Sequence, residues 1–218
     1  MSWTGAFGRA CGALLYRIVQ RLALTRISPN AYTAIGLAIS AFAAVLFGKA
    51  SGENTARMFR YAGAVIFFAG FLDMIDGRIA RATNRVTVFG AFFDSVVDRY
   101  SDAALYFGLL VYYARANRFF YVVLAAIVMI TSVMVSYTRA RAESLIGTCK
   151  VGFMERPERL VLVIIGAVFN RMAPVLWVIA ALGSITVIHR IWYTYQRTKP
   201  VLAAPVKEAV RHEPSTVS

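Results

Sequence analysis

The chain is poor in the residues that build soluble metal centres and covalent staples. Its two cysteines, Cys11 and Cys149, lie far apart and outside any Cys-x-x-Cys pair, so neither a disulfide framework nor a zinc site is indicated. Two histidines, His189 and His212, are too few for a histidine-based centre. Acidic residues are scarce as well: 11 Asp+Glu against 24 Lys+Arg leave a formal net charge of +13. Apolar residues fill the remainder, at 59% of 218 residues, with a mean hydropathy of +0.60. That is too apolar for a soluble domain and indicates a single polytopic membrane domain. Because the basic residues flank apolar runs, they suit anionic lipid headgroups and phosphate-bearing substrates rather than nucleic acid. No signal peptide stands out, since the first long apolar run follows a basic segment and lacks a small-residue cleavage site.

Read in order, the chain predicts an all-α integral membrane protein with six transmembrane helices behind an N-terminal amphipathic surface helix. Residues 3–25 mix Leu14, Leu15, Ile18, Val19 and Leu22 with Arg9, Arg17 and Arg21, the pattern of a helix lying on the membrane, which sets a first unit at 1–27. Ser28-Pro29-Asn30 reads as a helix start, with Ser28 as N-cap and Pro29 at the first helical position. Spans follow at about 30–47, 58–76, 89–114, 119–138, 160–169 and 175–195, close to membrane-crossing length except the short fifth. The polar segment Arg81–Thr87 is expected to break the chain between spans two and three, and Asn170–Pro174 to turn it before span six. The membrane unit is thus 28–197, and the proline-bearing tail 198–218 is expected to be mobile. Most Lys and Arg cluster on the side that holds both termini, the 73–99 stretch and the loop after span four, so the positive-inside rule turns that face to the cytoplasm of a multi-pass cell-membrane protein.

The scarcity of acids makes their placement informative. Asp73 and Asp76 are spaced i, i+3, and Asp94 and Asp98 i, i+4, so each pair shares one helix face. Carboxylates beside apolar runs mark a pathway, a partner or a bound cation. Four of them converging would repel unless a hard divalent ion such as Mg²⁺, Mn²⁺ or Ca²⁺ neutralised them. The alternative from spacing alone is pairing with Arg78, Arg81, Arg85 and Arg99 on a wet helix end. Gly77 and Gly90 would let a nucleotide approach the backbone, or equally serve small-residue helix packing.

The pattern Asp73-x2-Asp76-Gly77-x2-Ala80-Arg81-x8-Gly90-x3-Asp94-x3-Asp98 matches, at every specified position, the signature of the CDP-alcohol phosphotransferase family, which the chain resembles over nearly all but its tail. These enzymes displace CMP from a CDP-linked alcohol, usually CDP-diacylglycerol, with an acceptor hydroxyl. The resemblance implies that Asp73, Asp76, Asp94 and Asp98 ligate two Mg²⁺ or Mn²⁺ ions, and that Asp98 is the general base. It implies that Ser28, Pro29, Asn30, Gly77, Arg81 and Thr87 hold the CDP-lipid, and that the enzyme is a homodimer in phospholipid biosynthesis.

Residues 136–143 and 153–159 resemble the branch that makes phosphatidylinositol phosphate. That likeness implies that Arg139, Arg159 and Arg190 bind the phosphate of inositol 1-phosphate, as three cations suit a dianion. The branch has lysine where this chain has Arg139, which keeps the charge but changes geometry. On the bland reading these arginines answer Glu143, Glu155, Glu158 and the lipid surface. The same chemistry with glycerol 3-phosphate or another alcohol is the nearest alternative. A cation or proton transporter using the aspartates is the rival class, although the acids gather at one face and no inverted repeat is visible. Asp102, one turn beyond Asp98, is expected to tune the metal site or to pair with an arginine.

Overall fold

The computed structural model describes residues 29–82 and 87–202; the expected surface helix over 1–27, Ser28, and the tail beyond 202 lie outside the described residues. Among the described residues six α-helices follow one another: α1 Pro29–Lys49, α2 Thr55–Ala82, α3 Val88–Arg115, α4 Phe119–Ile146, α5 Arg156–Val168 and α6 Met172–Leu202. Among the described residues there is no strand, and the all-α class expected from the sequence is the one observed.

Local chemistry sets several boundaries. The first helix starts at Pro29, where a missing N–H and a fixed φ fit the opening turn. Ser51 and Asn54 form a reciprocal cap, with Ser51 N donating to Asn54 Oδ1 at 2.8 Å, and a 3-10 turn at Gly52–Asn54 joins α1 to α2. Asn117 and Asn170 take left-handed φ values of 54° and 52° in the turns after α3 and α5, a conformation asparagine tolerates well. Three boundaries differ from expectation. The second helix passes through Arg81 to Ala82, since good helix formers continue past Gly77. The last helix begins at Met172, with Pro174 in a first turn whose N–H groups lack intrahelical partners anyway. It also runs past 197 to Leu202.

Each helix packs mainly on two others, and the six close into the ring α1–α2–α5–α6–α4–α3. A buried cluster including Phe47, Phe59, Leu105, Leu109, Val128, Leu176 and Ile179 fills it. At Gly108 a Cβ would run into the Ala44 backbone, so glycine lets α1 and α3 approach closely. Outward-facing Phe68, Phe107, Phe119, Ile130 and Ile188 are exposed, as expected of helices bathed in lipid. Among the described residues, three stretches are long and apolar enough to cross a membrane: Asn30–Lys49, Phe119–Ile146 and Met172–Lys199. Of the remaining helices, α3 carries charged residues along its length and α5 has only 13 residues.

Candidate active site

At one end of the ring, α3, α4, α5 and α6 enclose a cavity of about 350 Å³. Asp98 and Asp102 enter it from α3, Arg139 from α4, Glu155, Arg156 and Arg159 from the start of α5, and Arg190 from α6. The start of α5 is placed by the loop before it. Gly152, at φ 110°, tucks that loop so close to α6 that a Cβ would lie 2.5 Å from Thr186 Cγ2. Buried Thr186 then accepts hydrogen bonds from Phe153 N at 3.3 Å and Met154 N at 3.2 Å, while its hydroxyl donates to Leu182 O.

Two ion-pair networks meet at that point. In the first, Arg156 Nη1 lies 2.7 Å from Asp98 Oδ1 and Arg156 Nε 3.5 Å from Asp102 Oδ1. Arg159, 1% exposed, donates from Nη2 to Asp102 Oδ2 at 2.6 Å and from Nη1 to Met154 O at 3.3 Å. Of the two roles expected for Asp102, pairing with arginine is the one seen. In the second network, Glu155 Oε1 accepts from Arg139 Nη1 at 2.7 Å and Arg190 Nη2 at 3.2 Å. Arg139 Nε also donates to Glu143 Oε1 at 3.1 Å. Arg190, likewise 1% exposed, is locked by donating to Val135 O at 2.6 Å and Val151 O at 2.9 Å.

The three arginines expected around one phosphate, residues 139, 159 and 190, therefore line a single cavity together with Asp98. Each is held by an acid in this state. Asp94 lies one turn before Asp98, and both are half-buried. The helical backbone of α2 carries positions 73, 76, 77 and 81, but the side chains of Asp73, Asp76 and Arg81 lie outside the described residues. Among the described residues no group of three or more Asp, Glu, His or Cys is gathered to hold a metal ion, as half of the expected carboxylate set is not among them. The donors that are described fit a hard cation. They are carboxylates, and one of them already holds the positive charge of Arg156.

Of the expected CDP-lipid residues, Asn30 and Thr87 come together at Gly90. Thr87 is the N-cap of α3, its Oγ1 accepting from Gly90 N at 2.9 Å. A Cβ at Gly90 would sit 2.9 Å from Thr87 Oγ1 and 3.3 Å from Asn30 Oδ1, so glycine keeps this corner open. Sequence reasoning named Glu155 only as an acid answering the arginines, a pairing the structure shows with Arg139 and Arg190, and it missed Arg156 as a site residue. Arg156 and Arg159 at i, i+3 answer Asp98 and Asp102 at i, i+4, but spacing along the chain does not pair the two helices, and only the fold brings them together.

Comparison with known proteins identifies the family. Residues 26–192 match the CDP-alcohol phosphatidyltransferase family. The archaetidylinositol phosphate synthase of Pyrococcus horikoshii is 37% identical over 185 residues, covering 84% of this chain and 92% of the relative. The crystal structure of Mycobacterium tuberculosis phosphatidylinositol phosphate synthase with CDP-DAG bound superposes with a TM-score of 0.74 at 27% identity, over 87% of this chain and 97% of that one. The same synthase in complex with manganese and citrate gives a TM-score of 0.73 at 29% identity, over 86% and 91% of the two chains. A transporter reading is thereby set aside in favour of an enzyme. The chain belongs to the CDP-alcohol phosphatidyltransferase family, the membrane transferases of phospholipid synthesis.

Proposed function

We propose that the protein transfers the phosphatidyl group of CDP-diacylglycerol to a hydroxyl of inositol 1-phosphate, giving phosphatidylinositol phosphate and CMP. One observation carries the reading: Asp98 and the arginines 139, 159 and 190 line the same cavity. The names of the Pyrococcus and Mycobacterium relatives support an inositol phosphate acceptor, and the bound CDP-DAG of the latter supports the donor. Asp98 takes the proton of the acceptor hydroxyl, whose oxygen then attacks the β-phosphorus as the bond to CMP breaks. Arg139, Arg159 and Arg190 hold the acceptor phosphate and so orient that hydroxyl. Asn30 and Thr87 border the CDP portion at the open corner by Gly90, with Ser28, Pro29, Gly77 and Arg81 completing its site. Asp73, Asp76, Asp94 and Asp98 hold two divalent ions, Mg²⁺ or Mn²⁺, which supply charge neutralisation for the pyrophosphate and the leaving phosphate. The manganese complex of the Mycobacterium relative supports divalent metal use. The enzyme spans the membrane six times as a homodimer, with residues 28–197 as catalytic unit and the cavity facing the cytoplasm.

The test is CMP release by purified protein in detergent with CDP-diacylglycerol and Mg²⁺. Release is expected with inositol 1-phosphate and not with glycerol 3-phosphate, and Asp98→Asn should lower it by at least about a hundredfold. Turnover of glycerol 3-phosphate alone would move the acceptor while keeping the chemistry. Full activity in Asp98→Asn would remove the assigned base.

A further inference from the structure

We propose that Glu155 is a specificity-determining residue of the acceptor pocket, admitting phosphomonoester dianions and turning away phosphodiester monoanions. The inference rests on the phosphate pocket proposed above. A cavity lined by arginines in a membrane protein has an unwanted ligand close at hand, because the headgroups of anionic phospholipids are phosphodiesters with one negative charge. Guanidinium groups bind phosphodiesters and phosphomonoesters through the same forked hydrogen bonds, so arginine alone discriminates poorly between them.

Glu155 supplies the discrimination. One of its oxygens receives both Arg139, at 2.7 Å, and Arg190, at 3.2 Å, so its charge bridges the two arginines where the acceptor phosphate is to bind, while Glu143 holds only the Nε of Arg139. The two arginines differ in freedom. Arg190 is buried and fixed by the Val135 and Val151 carbonyls, whereas Arg139 and Glu155 have side chains 37% and 41% exposed and can part. Any anion that enters must displace the Glu155 carboxylate from both. A phosphodiester brings one charge, which only replaces the charge it displaces, and leaves Glu155 repelled nearby. A phosphomonoester carries about −1.5 to −2 at pH 7 and three strong acceptor oxygens, so it outcompetes the carboxylate. The Glu155 backbone is the N-cap of α5 and makes no side-chain capping bond, which leaves its carboxylate to the two arginines.

The experiment is calorimetric binding to the purified full-length protein, with dimethyl phosphate as the diester probe and inositol 1-phosphate and glycerol 3-phosphate as monoesters. Wild type should bind a monoester and exclude the diester. Glu155→Gln should tighten diester binding by about tenfold and narrow the monoester-to-diester ratio. A residue that merely tied helices together would shift all three affinities in the same sense and leave that ratio unchanged. Glu155→Asp retains the charge but withdraws it by one methylene, and should admit the diester partially, which serves if Glu155→Gln does not fold. Unchanged diester exclusion in Glu155→Gln, with monoester binding weakened in Arg139→Gln, would overturn the role of Glu155 alone. Monoester binding indifferent to Arg139→Gln would overturn the pocket itself, and the inference with it.

Discussion

Asp102 carries the buried charge of the site. It is 4% exposed, it receives Arg159 at 2.6 Å, and its other oxygen is answered by Arg156 at longer range. Removing one partner of such a pair leaves an uncompensated charge, whereas replacing both with apolar groups is often neutral. Arg159→Met is therefore expected to lower stability by about 3–5 kcal/mol, and the double variant Arg159→Met/Asp102→Leu to recover most of it. Thermal unfolding of the single and double variants in detergent checks this. A double variant no more stable than the single one would show that the pair is not what the single variant loses. Arg139 shows why its identity matters. Its planar fork reaches Glu143 through Nε and Glu155 through Nη1 at the same time. A lysine has one nitrogen for both tasks. At this scale the sequence was legible where spacing is local, as in the aspartate pairs. It was not legible for Arg156 on Asp98, because nothing in a linear pattern says which helix ends meet after 58 residues.

Elements were easier to read than their ends. Apolar length and flanking polar residues placed all six described helices, and Pro29 marked the first start. The ends of α2 and α6 ran beyond expectation because continuing a helix costs little once it has formed, even through polar residues. Thr87 shows the opposite kind of miss, since a residue valued for ligand binding is also a helix cap. Thr87→Ala removes the acceptor of the Gly90 N–H and should cost about 1 kcal/mol, while Thr87→Ser should keep the cap. Unfolding temperatures separate the two variants, and equal temperatures would deny the cap a stabilising role. The KM for CDP-diacylglycerol, measured alongside, reports the ligand role independently.

The closed ring explains why residues from four helices converge without any long loop: each helix end needs only to meet its two neighbours. Acid-bearing α2 and α3 both flank α1, so the two aspartate pairs sit on helices that the ring separates by α1 alone. Chelation with excess EDTA is expected to abolish CMP release, and added Mg²⁺ or Mn²⁺ to restore it; release that persists under chelation would exclude dependence on a divalent ion. One proportion of the molecule reaches further. With 13 residues, α5 rises about 20 Å against a hydrocarbon core of about 30 Å. Meanwhile α4 runs on from Arg139 to Ile146, and α6 from Arg190 to Leu202. The charged floor of the cavity is sunk below the rims of its taller neighbours. Under the proposed function, a water-soluble acceptor would descend to that floor as into a well while the lipid donor slid in from the side, so that two reactants of opposite solubility would meet without either leaving its phase.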